Sequence, residues 1–169
     1  EGIIPVINEQ DILSASPLYF RDGTITKYNA SSISDGASAL ILMSMKTALE
    51  NNITPLAEVV SSALIGTSFG NMGIAAAEAL HKVLKRSGIK LEDIDLIECN
   101  EAYSAQMLIC ERETGWDSSK VNINGGSLAL GHPLGCTGAR ICTTLIHNMV
   151  RLGRRYGVAT MCAGGGMGE

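Results

Sequence analysis

The chain is poor in several things at once, and each shortage removes a class of function. Lysine and arginine number 13 against 17 aspartates and glutamates, with no basic block, which argues against nucleic acid as the main partner. Apolar runs such as residues 37–45 are too short to span a bilayer. Five cysteines form no CxxC pair, so neither a zinc site nor a disulfide framework is expected. An odd number of free thiols fits a reducing, cytoplasmic compartment, although the chain opens on Glu1 and a targeting segment upstream is compatible with that. There is no GxxxxGK[ST] phosphate loop and no GxSxG nucleophile elbow. Gly164, Gly166 and Gly168 imitate part of a dinucleotide loop, but no helix follows them.

What remains is a chain of 169 residues, 46% hydrophobic and 18% charged, long enough for one domain with its own core. Residues 1–27 carry Pro5 and Pro17 with little periodicity and read as a loop or linker. From residue 28 onward, strand-like and helical stretches alternate. Buried strands are predicted over 37–43 and 57–65, a short helix over 46–51 and a loop over 66–73. A helix over 75–86 follows, with Ala76, Leu80, Val83 and Leu84 on one face, ended by Gly88. Next come a strand over 94–99, a helix over 101–113, a short strand from Val121, a long helix carrying Cys142, Leu145, Ile146 and Met149, and a last strand over 157–162. This order predicts βαβ units: a layered α/β domain with a mixed sheet and helices on both faces.

The chemistry concentrates in three places. Asn100 follows one predicted strand, His132 follows another through a glycine-rich loop, and Cys162 ends the last. Ligand sites in open α/β sheets gather beyond the carboxyl ends of strands, so an amide, an imidazole and a thiol are expected at one rim. Pro133 pushes His132 out of helical geometry and sets it at or just before a helix start, whose positive end favours the neutral base. Gly164 to Gly166 offer N–H groups with no side chains in the way. Thiols titrate near roughly 8.5 and imidazoles near roughly 6.5, so the set suits proton exchange at a carbonyl or next to a thioester. Cys99, Cys110, Cys136 and Cys142 fall in predicted core or helix and are expected to be inert.

NEAY at Asn100–Tyr103, GGSLALGHPLGCTGAR at Gly125–Arg140 and CAGGGMG at Cys162–Gly168 resemble, in order and spacing, the three C-terminal motifs of thiolases. NASSISDGASALILMS from Asn29 resembles the first strand of that family's C-terminal half, and DIDLIECNEAY its third. The resemblance runs from about Arg21 to the end. It implies an acyltransferase that cleaves or forms 3-ketoacyl-CoA, with residues 28–169 as a C-terminal catalytic domain lacking the family's final strand. His132 would activate a nucleophilic cysteine, Cys162 would shuttle the proton at the substrate α-carbon, Asn100 would hold an oxyanion-hole water, and the Gly164 N–H would serve a second hole. Ser31, Ala102 and Tyr103 would contact the pantetheine arm of CoA. Coenzyme A and acyl-CoA enter as substrates, with no metal and no permanently bound cofactor.

The resemblance also implies a partner. The acyl-accepting cysteine lies in the family's N-terminal half, which nothing in this chain resembles, so that half is expected from the same or another chain. A homo-oligomer of the complete enzyme is implied as well. The family's phenylalanine is Tyr103 here, and its glycine–proline pair reads Ile74, Ala75. Two rivals stand beside this reading: a ketoacyl-synthase-like enzyme, and a non-catalytic CoA-binding or scaffolding half-domain.

Overall fold

The structure, a computed structural model, describes residues 8–169. A short helix α1 (Glu9–Leu13), capped by Asn8, lies within the stretch read as linker. Helix α2 (Met45–Glu50) is capped by Ser44 and falls where a short helix is predicted. Strand β1 (Ile65–Gly66) and a turn of 3₁₀ helix lead into α3 (Met72–Ser87), which ends at Gly88 in the left-handed conformation. Strand β2 (Leu96–Cys99) and helix α4 (Ser104–Thr114) follow. Then come a one-turn helix α5 (Ser127–Leu130), the long helix α6 (Thr137–Leu152), and strands β3 (Gly157–Thr160), β4 (Cys162–Ala163) and β5 (Met167–Gly168).

Strands β2 and β3 pair in parallel, with Cys99 opposite Thr160, while β1, β5 and β4 form an antiparallel sheet in that order. Both pairing directions and the βαβ connection through α6 match the predicted α/β class. Helices cover both sides of β2. Ile97 and Cys99 join a core with Ala76, Ala77 and Leu80 of α3, Cys110 of α4 and Trp116, while Glu98, pointing the other way as strand pleating requires, lines a cavity with Arg140 and Ile141 of α6. Gly157 packs closely against α6: a Cβ there would stand 2.5 Å from the Met149 sulfur and 2.8 Å from a Leu145 methyl, side-chain ends that would have to shift.

Three expectations are corrected. Residues 37–43 and 57–64 form no strand, and their apolar side chains are largely exposed, Ile41 at 88% and Val59 at 72%. Hydrophobic runs of this kind become strands when a second surface covers them, and nothing in the described residues does so. The strand predicted from Val121 shrinks to one bridge, Ile97 to Val121. There the Asn122 side chain takes over: its Oδ1 accepts from Cys99 N at 2.8 Å, its Nδ2 donates to Cys99 O at 2.8 Å, and its own backbone turns to φ 46°, ending the ladder. Finally, α6 begins at Thr137, five residues beyond His132, because Pro133 to Cys136 form a turn of their own.

Candidate active site

Residues 30–33 stitch two of the motifs together. On one side Ala30 bridges Tyr103, and Ser31 donates to Ala102 O from its N–H (3.0 Å) and from its hydroxyl (3.1 Å). On the other side Ile33 bridges His132, whose N–H donates to Ser32 O at 2.7 Å. Ser31, Ala102 and Tyr103 therefore meet, and the same short segment carries the histidine loop beside them. Gly131 must be glycine: its φ is +89°, and a Cβ would stand 2.5 Å from Ser34 Oγ.

Asn100 and His132 are in direct reach. Asn100, 1% exposed, sets its Nδ2 3.4 Å from His132 Nε2. The Asn100 backbone N–H donates to Thr160 O at 3.0 Å, which ties the end of β2 to β3 two residues before Cys162. Cys162 is buried at the start of β4. Gly164 is exposed in the Gly164–Gly166 turn of the β4–β5 hairpin, directly after Cys162 and Ala163.

The electrostatics favour neutral groups. Burial, with the Arg140 charge nearby, pulls the His132 imidazole below its ordinary value. The neutral base expected from a helix N-terminus thus rests first on desolvation. Burial likewise pushes the Cys162 thiol up, with the neighbouring Cys110 adding to it. The Tyr103 hydroxyl, 3.2 Å from that of Tyr19, is pushed up to about 12, chiefly by that hydrogen bond.

Sequence reasoning missed the groups that orient this pair. Thr137 Oγ1 lies 2.7 Å from His132 Nδ1 and donates to Pro133 O at 3.0 Å. With its own proton committed, the threonine accepts from Nδ1–H, leaving the Nε2 lone pair toward Asn100. Ser127 Oγ lies 2.6 Å from Asn100 Oδ1, and Arg140 reaches both Ser127 Oγ (2.6 Å) and Gly131 O (2.8 Å). The available signal was Arg140 itself, a cation within an otherwise apolar helix start. Glu101, the acid of NEAY, also serves the frame: it accepts from Asn122 Nδ2 at 2.9 Å and from Leu128 N at 3.0 Å.

Comparison with known proteins bears on what this frame is. The thiolase C-terminal domain model matches residues 53–169, more than half of the chain. The chain belongs to the thiolase family. The thiolase N-terminal domain model matches residues 1–46, which corrects the reading that nothing here resembles that half, and it takes in the Asn29–Ser44 stretch. The chain is 49% identical over 152 residues to an acetyl-CoA acetyltransferase of Chromobacterium violaceum, covering 90% of this chain and 39% of that one. It is 45% identical over 168 residues to a 3-ketoacyl-CoA thiolase of Bacillus subtilis, covering 99% and 43%. The crystal structure of human mitochondrial 3-ketoacyl-CoA thiolase in complex with CoA superposes with a TM-score of 0.96 at 42% identity, over 99% of this chain and 42% of that one. This thiolase chain therefore spans about two fifths of the length of the relatives it matches. Among its described residues, no helix is long and apolar enough to cross a membrane.

Proposed function

We propose that this chain supplies the acid–base and oxyanion half of a thiolase active site, acting on 3-ketoacyl-CoA together with a nucleophilic cysteine carried by the family's N-terminal half, in the same or a separate chain. The observation that supports this most is the buried Asn100 amide held 3.4 Å from the unprotonated Nε2 of His132, at the strand end adjoining the Cys162 segment.

The chemistry follows from the proton positions. Neutral His132 takes the proton of the nucleophilic thiol at Nε2. The thiolate attacks the ketone carbon, the bond between it and the α-carbon breaks, and the pair stays on the α-carbon as the enolate of acetyl-CoA. The thiol of Cys162, kept protonated by burial, delivers its proton to that carbon. A CoA thiol then gives its proton to the Cys162 thiolate and attacks the acyl-cysteine thioester, releasing the shortened acyl-CoA and the cysteine thiolate, which takes back the proton held by His132. The imidazolium formed in the first step carries Nε2–H, so His132 turns from acceptor to donor as negative charge builds on the oxygen beside it, with the Asn100 amide, directly or through a water, as the second donor. The Gly164 N–H in the turn after Cys162 is proposed for the other oxyanion. Ser31, Ala102 and Tyr103, gathered on one edge, are proposed to meet the pantetheine arm. CoA and acyl-CoA are the small-molecule partners of this reading, with no resident cofactor, and the complete enzyme is proposed to be a homo-oligomer.

The decisive experiment is Cys162→Ala in the complete enzyme. Acylation of the nucleophilic cysteine by acyl-CoA, followed by mass spectrometry, should persist, while carbon–carbon cleavage and condensation fall by at least about a hundredfold. Equal loss of both steps, or unchanged cleavage, removes Cys162 from the proposed role.

A further inference from the structure

Arginine has N–H donors and no acceptor. Arg140 Nη2 stands 2.6 Å from Ser127 Oγ, so the hydroxyl accepts there. Its single proton is then left for Asn100 Oδ1, 2.6 Å away. An amide's oxygen and nitrogen ends are alike in shape, and hydrogen bonding alone decides which way it points. Here the decision comes from Arg140 through Ser127: the oxygen faces serine, and Nδ2 faces His132 Nε2 at 3.4 Å. Ser127, 0% exposed, is shut off from bulk solvent. Arg140 is itself anchored by Gly131 O at 2.8 Å, the carbonyl of the residue before His132. One guanidinium thus grips the histidine loop with one nitrogen and orders the asparagine with another.

We propose that Ser127 and Arg140 are positioning residues for the thiolase reaction, setting the Asn100 amide so that its NH₂ faces the reacting oxygen beside His132. The catalytic part of this rests on the function proposed above; the amide orientation does not.

The two orientations differ in what they do to the imidazole. An NH₂ group aimed at Nε2 meets a lone pair favourably and an Nε2–H unfavourably. A flipped amide presents Oδ1 and favours the imidazolium. Removing the serine hydroxyl releases the amide to flip, so protonation of His132 becomes easier. Of the other charged groups of this region, Arg140 loses its bond to Ser127 but keeps the one to Gly131 O, Glu98 lies on β2, and Glu101 remains bonded to Asn122 and Leu128.

The test is a ¹⁵N NMR titration of the imidazoles of the full 169-residue chain, which contains three histidines, in wild type, Ser127→Ala, Asn100→Ala and the double variant. Ser127→Ala should raise the His132 pKa by about half a unit or more, and should add no shift to Asn100→Ala. Ser127→Cys, nearly the same volume with a weak donor, carries the same prediction in case the alanine variant does not fold. In the complete enzyme, Ser127→Ala should lower kcat roughly ten- to a hundredfold with KM within about twofold, and should cost nothing further on Asn100→Ala. An unchanged His132 titration, or a kcat loss fully additive with Asn100→Ala, overturns the relay. A complete enzyme without thiolase activity removes the function proposed above, while the titration still decides the amide orientation.

Discussion

His132 is a base whose protonation is resisted from two sides. Its environment removes water, and Arg140 adds a positive charge nearby, so its pKa lies below that of a free imidazole. The sign of the consequence is definite. A base with a lowered pKa stays neutral to lower pH, so the acid limb of kcat/KM for the complete enzyme should fall below pH 6.5, the ordinary imidazole value. A limb at or above that value would mean that another group controls the first proton transfer. Replacing Arg140 with methionine should move the limb upward, because the repelling charge is gone. Sequence alone singled out Asn100, His132 and Cys162 as candidates, and the structure brings the first two within 3.4 Å of each other. Their orienters were not legible, because Thr137, Ser127 and Arg140 act through proton directions, and sequence spacing carries no information about which atom of a hydroxyl or amide faces which neighbour.

At the scale of elements, the helices and the parallel pair were the legible part. Helix α3 shows its buried face in its periodicity and its end in Gly88, and the β2–β3 pair follows from two apolar runs separated by the amphipathic α6. What sequence could not reveal is the substitution of a side chain for a strand at Asn122, since an asparagine that mimics the ladder looks like any other asparagine in a polar turn. The β4–β5 hairpin makes its own demand. Gly166 sits at φ +81°, and a Cβ there would stand 2.7 Å from Thr67 O and 2.9 Å from Ser68 O, both backbone atoms with little room to yield. Its own carbonyl accepts from Thr67 N at 2.6 Å, which fastens β1 to the hairpin that follows Cys162. Gly166→Ala should therefore cost roughly 2–4 kcal/mol, the sum of left-handed strain and overpacking, and thermal unfolding will register it. Gly164→Ala, with open space at the Cβ position and no positive φ, should cost well under half as much.

At the scale of the whole molecule, the apolar residues left uncovered carry the argument. Ile41, Leu42, Val59 and Leu64 line the two runs that were read as buried strands. The reading went wrong because hydrophobicity reports that a segment will be buried somewhere, not that its cover lies in the same stretch of chain. Exposure on this scale marks a surface meant for contact. Under the function proposed here, the contact is the remainder of the thiolase N-terminal half, of which residues 1–46 already match a part, and it makes a concrete expectation. The 169-residue chain alone should show no thiolysis of acetoacetyl-CoA, and added N-terminal half should restore it. Ile41→Ser with Val59→Ser should leave the thermal stability of the chain within about 1 kcal/mol, because exposed side chains contribute little to folding, yet should reduce that restoration at least tenfold. Turnover by the chain alone, or restoration indifferent to both serines, counts against this division of labour.

The bond from the Asn100 N–H to the Thr160 carbonyl closes the parallel ladder and, in the same stroke, fixes how near the amide segment lies to the thiol segment. That single main-chain hydrogen can be watched. Its exchange with deuterium requires β2 and β3 to part at the strand end that carries Asn100, so its rate measures how often the proposed site comes undone. A bound acyl chain or a docked partner that steadies the site should slow this one amide well beyond its neighbours in the turn at Asn122, giving a reading of readiness before any bond is made or broken.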